Sequence, residues 1–318
     1  MRNFWNNKNI VVTGGRGFLG KHLVKKLESL SPKNIFVPSR SKFDLRIYDK
    51  CIKAFKNADI VIHLAANVGG IGYNKVHPAD LFDDNILIGV NSLRAAKKCG
   101  VKKFVAIGTI CEYPKLTPVP FKEKDLWNGY PEETNAPYGL AKKMLLVQSQ
   151  AYFEQHKFKS INLLPVNMYG PGDNFDEESS HVIPALIKKL MHAKYKNKKT
   201  VEAWGTGKAT REFVYVGDVV DAIITATERV ESPFPINVGS GEEMSIRQLV
   251  KLIKKHVGYT GRIVWNRNMP DGQPRRKLDT TLAYQTFGFK SKVKFNEGLK
   301  NTVEWYLPIW KKENAITF

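Results

Sequence analysis

Residues 9–28 constrain the fold more than any other stretch of this chain. A short apolar run at 9–13 is followed by a glycine-rich segment and then by apolar residues at helical spacing. A strand, a glycine turn and a helix in this order form the first unit of a dinucleotide-binding α/β domain. In such a unit Gly14 permits the turn, Gly17 lets the backbone approach a pyrophosphate, and Gly20 lets the helix pack against the strand. The alternative at this point is a glycine-rich turn with no ligand.

Later apolar runs extend this unit to a parallel, doubly wound sheet, because strands alternate with helical patterns. The further strands of this sheet are predicted at 35–37, 59–66, 103–108, 160–164 and 235–239. The predicted fold class is α/β, a Rossmann-type doubly wound parallel sheet with a smaller, discontinuous C-terminal α/β substrate lobe. The predicted dinucleotide-binding domain comprises residues 1–170 plus about 217–240, and the nucleotide-sugar-binding lobe comprises about 171–216 plus 241–318. Asp218 is predicted to cap the helix that follows a strand at 211–216.

Ligands of a doubly wound sheet bind at the carboxyl ends of its strands, so residues at these ends are candidate cofactor contacts. The candidates near the first and third strands are Gly14, Arg16, Gly17, Phe18, Leu19, Gly20, Leu64, Ala65 and Ala66. An acidic residue after the second strand would favour NAD, but the chain has Ser39 and Arg40 there. With Arg16, they offer a hydroxyl and two cations suited to a 2′-phosphate. NADP(H) is therefore the preferred cofactor and NAD(H) the alternative, in which the arginines are surface charges.

Tyr138 and Lys142 are candidates for proton transfer. They lie four residues apart in a predicted helix, so their side chains share one face, one turn apart. A phenol has an ordinary pKa near ~10 and exchanges its proton poorly at neutral pH unless a cation stabilises its anion. Lys142 supplies that charge, and Thr109, at the end of a predicted strand, adds a hydroxyl for the same substrate oxygen. Together they would polarise a carbonyl for hydride transfer.

Composition narrows the class of protein. The formal charge of +20 over 318 residues suits anionic ligands, but the basic residues are scattered in pairs, which indicates solvated surfaces rather than a nucleic-acid site. Three cysteines without a CxxC pair argue against a disulfide framework or a zinc site, so no metal is predicted. No apolar run is long enough to span a membrane, and residues 1–8 lack the apolar core of a signal peptide, so we expect a cytoplasmic enzyme without a membrane partner.

With the glycine loop, Thr109, Tyr138 and Lys142 in view, the chain resembles the extended short-chain dehydrogenase/reductase superfamily. Within it, local motifs are similar to those of the GDP-L-fucose synthase family. These motifs occupy residues 64–71, 111–115, 133–138, 167–175, 180–186, 204–207 and 211–213, so the resemblance covers nearly the whole chain.

The resemblance implies epimerisation of GDP-4-keto-6-deoxy-D-mannose at C3 and C5, followed by reduction of the C4 ketone by NADPH. A C4 ketone acidifies the hydrogens at C3 and C5, so epimerisation needs an acid and a base on opposite faces of the ring. Cys111 and His181 match these roles, and Thr109, Tyr138 and Lys142 match the reductive site. The matching substrate-binding residues are Asn167, His181, Trp204, Arg211 and Arg276, with Arg211 paired to the GDP diphosphate. A homodimer is expected from the resemblance.

Three departures from the family pattern leave alternatives open. Glu112 stands where the family has an apolar residue, either as a carboxylate acting on the Cys111 thiol or the sugar, or as an outward-facing charge. Thr109 replaces the usual serine, and Ser39 with Arg40 retains only part of the cationic pair for NADPH. The alternative functions are a nucleotide-sugar 4-keto reductase or dehydrogenase, for example on a GDP-heptose, an NAD-retaining 4-epimerase and, remotely, a non-catalytic binding protein.

Overall fold

A six-stranded parallel sheet organises the larger lobe, and the computed structural model describes residues 4–269 and 271–314. The strands of the protein are β1 (Asn9–Thr13), β2 (Asn34–Phe36), β3 (Ile60–His63), β4 (Lys103–Ile107), β5 (Ser160–Pro165), β6 (Asn167–Tyr169), β7 (Thr200–Trp204), β8 (Thr210–Tyr215), β9 (Pro235–Val238), β10 (Glu243–Ser245), β11 (Arg262–Asn266) and β12 (Arg275–Arg276). The large sheet has the order β2-β1-β3-β4-β5-β9, and each neighbouring pair is parallel. The predicted α/β fold class is confirmed.

Helices cover both faces of this sheet. The helices of the protein are α1 (Phe18–Glu28), α2 (Tyr48–Phe55), α3 (Ile71–Val76), α4 (Pro78–Lys98), α5 (Ala136–His156), α6 (Val182–Tyr195), α7 (Val216–Arg229), α8 (Ile246–Val257), α9 (Thr281–Phe287) and α10 (Phe295–Glu313). Successive residues of a strand point to opposite faces, so Ile10 and Val12 pack against one set of helices and Val11 against the other. Such burial on both sides is why these strands read as continuous apolar runs.

The smaller lobe is built around two short sheets. In one, β8 pairs antiparallel with β10 and parallel with β12 and β6, and in the other β7 pairs with β11. A separate apolar core joins them to α6, α8 and α10. Leu278, Ala283 and Phe287 nevertheless pack in the core of the large sheet, so the C-terminal segment contributes to both lobes.

The prediction for Asp218 is wrong. Helix α7 begins at Val216, which places Asp218 inside its first turn. The carboxylate accepts hydrogen bonds from the Ser291 hydroxyl at 2.6 Å and from the backbone N–H groups of Lys292 and Val293 at 3.1 Å. Asp218 therefore fixes the segment before α10 against α7 rather than capping its own helix.

The described residues contain neither a membrane-spanning helix nor a cluster of metal ligands. Among residues 4–269 and 271–314, no helix is both long and apolar enough to cross a bilayer. The same part of the chain contains no cluster of three or more His, Cys, Asp or Glu side chains arranged to hold a metal ion.

Candidate active site

The residues predicted for proton transfer meet at the carboxyl end of β4. Asn135 precedes α5 and Pro137 lies in its first turn, where proline is favoured. This start places Tyr138 and Lys142 on a buried face of the helix. The Tyr138 hydroxyl lies near the Thr109 side chain, which lowers the tyrosine pKa against the larger effect of burial, and Thr109 Oγ1 accepts from the Cys111 backbone N–H at 3.2 Å. Thr109, Cys111 and Tyr138 therefore share one corner of the site.

Burial dominates the electrostatics of the Tyr138 and Lys142 pair. Desolvation raises the pKa of Tyr138 well above its ordinary value, and nearby Cys111 and Glu112 act in the same direction. Desolvation also lowers the pKa of Lys142 to about 8, while the Glu112 carboxylate opposes that change. Lys142 is not among the groups that shift the pKa of Tyr138, and desolvation is the largest cause of its change. At neutral pH Tyr138 is a protonated phenol, the form that donates a proton.

Glu112 lies inside the protein rather than on its surface. The segment after β4 forms a 3-10 helix, Ile110–Glu112, with Thr109 as its N-cap, and the Glu112 side chain turns back onto the Thr109 backbone N–H at 2.9 Å. The reciprocal bonds between Thr109 and Glu112 form a capping box. The alternative of an outward-facing charge is wrong, since this side chain is fully buried.

Two glycines allow the 3-10 helix to sit this close to its neighbours. A Cβ on Gly139 of α5 would lie 2.2 Å from the Cys111 carbonyl oxygen, well inside contact distance. A Cβ on Gly108 would lie 2.4 Å from Glu112 Oε1. These positions therefore hold Cys111 against α5 and leave room for the carboxylate.

Two arginines of the smaller lobe are neighbours, and one of them contacts Cys111. Arg276 Nη2 lies 3.5 Å from the Cys111 Sγ atom. Arg276 of β12 is the register partner of Arg211 in the neighbouring strand β8. Backbone carbonyls hold Arg211, since its Nη1 donates to Thr210 O at 2.7 Å and to Gln273 O at 2.6 Å. Burial, reinforced by the charge of Arg276, lowers the pKa of Arg211 to about 10. Two cations in one recess suit an anionic ligand.

His181 and the other predicted sugar contacts lie on separate elements. His181 is the N-cap residue of α6 and is exposed to solvent in part, while desolvation by the neighbouring residues lowers its pKa. The loop before it meets the loop after β3, where Gly70 N–H donates to Ser179 O at 2.9 Å. Asn167 donates to Glu212 O at 3.3 Å, and Trp204 is exposed at the end of β7. In the described part of the chain, no hydrogen bond joins His181 to Cys111.

The glycine loop has the geometry that a dinucleotide needs. Gly14 has φ +67°, and a Cβ there would lie 2.8 Å from the Ala65 backbone nitrogen. A Cβ on Gly20 would lie 2.2 Å from Gly14 O, so α1 packs directly onto the turn. Among the described residues, no side chain caps α1 and no acidic residue occupies its first turn. The helix N-terminus is therefore suited to a pyrophosphate, with Phe18 and Leu19 in its first turn.

The region after β2 has its nearest carboxylates already paired. Arg46 donates to Asp44 at 2.6 Å and to Asp84 at 2.9 Å. Arg16 and Arg40 are exposed, Arg40 lies 3.9 Å from Asp84, and the Ser39 and Ser41 hydroxyls are 3.4 Å apart. This arrangement favours a phosphate over a ribose diol, because the acids that would accept from the diol are already engaged by Arg46 and Arg40.

Sequence reasoning missed two features of the site. The Thr-x-x-Glu spacing of Thr109 and Glu112 is a capping-box signal, and it would have predicted that Glu112 folds back onto the strand end. The contact of Arg276 with Cys111 joins residues 165 positions apart, so no local sequence pattern predicts it.

Comparison with known proteins agrees with this geometry. The NAD dependent epimerase/dehydratase family matches residues 10–239. The chain is 41% identical to the probable GDP-L-fucose synthase 1 of Oryza sativa subsp. japonica over 312 residues, which cover 97% of this chain and 93% of that protein. It also superposes on a Campylobacter jejuni GDP-6-OMe-4-keto-L-xylo-heptose reductase with a TM-score of 0.90, 28% identity and coverage of 95% and 98%. A Naegleria fowleri GDP-L-fucose synthetase bound to NADP gives a TM-score of 0.87, 28% identity and coverage of 98% and 97%.

Proposed function

The chain belongs to the NAD dependent epimerase/dehydratase family, as a GDP-L-fucose synthase-like short-chain dehydrogenase/reductase, and we propose that it is an NADP(H)-dependent 3,5-epimerase/4-reductase of a GDP-4-keto sugar. The proposed substrate is GDP-4-keto-6-deoxy-D-mannose. The observation that carries this proposal is the single corner in which the buried Tyr138 hydroxyl lies near the Thr109 side chain while Thr109 Oγ1 accepts from the Cys111 N–H. A ketone there would meet a proton donor for its oxygen and a thiol for the neighbouring carbon.

Each residue has a defined part in the proposed reduction. When bound, NADPH supplies the hydride that adds to C4 of the sugar. Tyr138 donates its hydroxyl proton to O4, and the resulting phenolate is stabilised by the Lys142 ammonium. Thr109 donates a hydrogen bond to the same oxygen and fixes the position of the ketone.

Epimerisation precedes reduction in the proposed sequence. Cys111 and His181 approach the ring from different elements, one removing the hydrogen at C3 or C5 and the other returning a proton from the opposite face. Tyr138 and Thr109 stabilise the intermediate enolate at O4. Arg211 holds the diphosphate, and we assign Asn167, Trp204 and Arg276 to the sugar nucleotide, with Arg276 also touching the Cys111 thiol.

NADP(H) is proposed over NAD(H) on two grounds. The carboxylates near the end of β2 are bonded to Arg46, and Ser39, Arg16 and the exposed Arg40, which lies 3.9 Å from Asp84, would meet a 2′-phosphate. The Naegleria fowleri relative is bound to NADP. The paired carboxylates are the stronger ground, because they belong to this chain.

The experiment follows two signals with one substrate. Purified protein is incubated with GDP-4-keto-6-deoxy-D-mannose in deuterated water, with and without NADPH, while NADPH oxidation and deuterium at C3 and C5 are measured. Both signals together support the proposal. Cys111→Ser should suppress deuterium incorporation more than hydride transfer, whereas Cys99→Ser, at a cysteine that ends α4 and contacts Ile52 of α2, should change neither. Equal losses of both signals in Cys111→Ser would refute this division of roles.

A second candidate is a 4-keto reductase acting on a GDP-heptose. The superposition on the Campylobacter jejuni heptose reductase favours it, since that protein covers 95% of this chain. NADPH oxidation without deuterium at C3 and C5 would support this reading and leave Cys111 and His181 without their proposed roles.

Three further expectations from the sequence belong to the same proposal. We propose a division into a dinucleotide-binding domain and a sugar-nucleotide lobe, with residues 278–287 packed on the large sheet rather than in the lobe predicted for them, a cytoplasmic location and a homodimer. Sedimentation of the purified protein tests the dimer, and fractionation of cells producing it tests the location.

A further inference from the structure

Glu112 and Lys142 are enclosed together behind the proposed catalytic tyrosine. Glu112 is 0% exposed and Lys142 is 7% exposed. Both line one cavity of about 10 Å³, close to the space that a single water molecule occupies. Most of the remaining lining is apolar, from Leu145, Leu146 and Leu164. Two opposite charges therefore share a small space from which bulk solvent is excluded.

The Glu112 carboxylate is only half satisfied by local bonds. Its Oε1 accepts from the Thr109 N–H at 2.9 Å, whereas Oε2 is buried and has no hydrogen-bond partner among the described residues. A carboxylate in such surroundings is costly unless a cation compensates it. Lys142 is the cation that acts on it most strongly, and Lys143 acts more weakly. Lys143 is itself engaged, since it donates to Leu126 O and lies 4.2 Å from the centre of the Trp127 ring.

We propose that Glu112 is a positioning residue whose carboxylate keeps the Lys142 ammonium protonated beside Tyr138. This inference rests on the proposed function, because the cation is needed when Tyr138 gives its proton to a substrate oxygen and leaves a phenolate. Glu112 does not touch the reacting atoms in this scheme. It acts on the reaction through Lys142.

Groups from three elements face this pair. Tyr138 and Lys143 come from α5, the helix that also carries Lys142. Cys111 and Tyr113 are the sequence neighbours of Glu112, and His63 comes from the end of β3. Burial raises the pKa of Glu112 to about 7 and lowers the pKa of Lys142 to about 8, and each group opposes the change in the other. His63 is held neutral, because burial and then Lys142 lower its pKa to about 3.

The expected direction follows from these signs. Removing the Glu112 charge lowers the pKa of Lys142 further, so the cation is lost at a lower pH. The same change removes a repulsion that raises the pKa of Tyr138. The effect on Lys142 governs the pH range of activity, because Lys142 titrates near neutrality and the tyrosine does not.

Glu112→Gln tests the proposal with little change of shape. The glutamine oxygen still accepts from the Thr109 N–H, but the charge is gone. We expect the alkaline limb of the kcat/KM profile for NADPH-dependent reduction to move down by about 1 pH unit or more. A merely structural role would lower kcat/KM by one factor at every pH. Glu112→Asp restores the charge and should return the limb towards wild type.

Glu123→Gln is the matched control. Glu123 is a partly buried carboxylate that accepts from the Asn237 N–H at 2.9 Å, and burial raises its pKa too. It is not among the groups that shift Lys142. Its substitution should leave the alkaline limb in place. An unmoved limb in Glu112→Gln, or a Glu112→Asp limb that coincides with that of Glu112→Gln, would overturn the proposal.

A substrate-free measurement separates this inference from the proposed function. The Lys142 side chain is titrated by carbon and nitrogen NMR in wild type and Glu112→Gln, with its signal assigned through Lys142→Arg. A lower titration point in the glutamine variant is expected even if no tested sugar turns over, in which case the proposed function alone fails. If Lys142 titrates at the same pH in wild type and Glu112→Gln while the wild type turns over the proposed substrate, the inference is wrong and the proposed function stands. If Glu112→Gln does not fold, Glu112→Asp carries this measurement, and a downward shift of about 1 pH unit or more in this charge-retaining variant would contradict the proposal.

Discussion

At the scale of single residues, Tyr138 is placed to donate a proton rather than to hold the fold. Its hydroxyl meets the Thr109 side chain at the edge of the site, and burial keeps the phenol protonated. We predict that Tyr138→Phe lowers kcat/KM for NADPH-dependent reduction by about 10²- to 10⁴-fold. The free energy of unfolding should change by only about 1 kcal/mol, because the substitution removes one hydroxyl and leaves the buried ring in place. Absorbance of NADPH and urea unfolding measure the two effects.

Tyr113→Phe is the control for that substitution. Tyr113 is also buried near the end of β4, and its hydroxyl donates to Asn237 Oδ1 at 2.8 Å. Its loss should cost similar stability and leave reduction intact. Tyr138 would not be the proton donor if Tyr138→Phe kept the wild-type kcat/KM for reduction, or if both variants lost kcat/KM equally.

Arg276 is predicted to activate the Cys111 thiol. A guanidinium 3.5 Å from the sulfur stabilises the thiolate, which is the form that reacts. Arg276→Gln should therefore slow alkylation of Cys111 by iodoacetamide by about three- to tenfold near neutral pH, as followed by mass spectrometry of the Cys111 peptide. In the control Arg275→Gln the rate should stay unchanged, because Arg275 is exposed and paired with Glu243 at 2.7 Å. Equal rates in both variants would exclude this role.

The sequence predicts the residues of this corner better than it predicts their contacts. Tyr138 and Lys142 follow from helical spacing, and Thr109 from the end of an apolar strand. The spacing of Glu112 to Thr109 indicates that its side chain folds back onto the strand end. Comparison with the apolar residue of the family pattern leaves two interpretations open, a carboxylate in the site or a charge on the surface. Arg276 could not be placed, because its contact with Cys111 depends on how β12 docks beside β8.

At the scale of elements, the site depends on how closely α5 approaches the 3-10 helix that carries Cys111. Gly139 makes this approach, since a Cβ there would lie 2.2 Å from Cys111 O. We predict that Gly139→Ala lowers the free energy of unfolding by about 1–3 kcal/mol through overpacking and also impairs reduction, because the strand end and α5 separate. Urea unfolding and the NADPH assay test both effects.

Gly89→Ala provides the contrast within the helix that packs on α5. A Cβ at Gly89 of α4 would lie 3.5 Å from Leu145, an ordinary contact. This alanine should stabilise the protein by about 0.5–1 kcal/mol, since alanine is favoured over glycine inside a helix. Similar destabilisation by both alanines would mean that close helix packing in general, and not the approach of Cys111, limits stability.

Elements of the large sheet were predictable because their strands are buried on both faces and alternate with helices. The smaller lobe was less so. Its strand β6 follows β5 after a single residue yet pairs with β8 in a different sheet, a partner chosen by tertiary packing. Tertiary packing also explains why the predicted capping role of Asp218 is wrong. Its local sequence suggests an N-cap, but its carboxylate accepts hydrogen bonds from three donors of residues 291–293.

At the scale of the whole molecule, the segment 170–176 ties the two lobes together beside the cofactor helix. Pro171 O lies 2.7 Å from His22 Nε2 of α1, and a Cβ on Gly172 would contact His22 and Phe18. The next residue, Asp173, is buried, and its Oδ2 has no hydrogen-bond partner in the part of the chain that the structure describes. The junction between the lobes therefore contains a carboxyl group that is poorly placed to ionise.

Asp173 makes the stability of the whole fold depend on pH. Burial raises the pKa of Asp173 to about 7, and the hydrogen bond from the Asn174 N–H, which lowers this pKa, only partly offsets the rise. The folded protein therefore binds this proton more tightly than the unfolded chain does. The stabilising contribution is present below about pH 4 and is lost as pH rises through about 7. Asp173→Asn should therefore gain about 2–4 kcal/mol of unfolding free energy over wild type between about pH 4 and pH 8 in urea titrations. Asp176→Asn should show the opposite sign, because hydrogen bonds from Ser179 lower the pKa of that exposed carboxylate. A pH-independent difference for Asp173→Asn would mean that its carboxyl group finds a charged partner in solution.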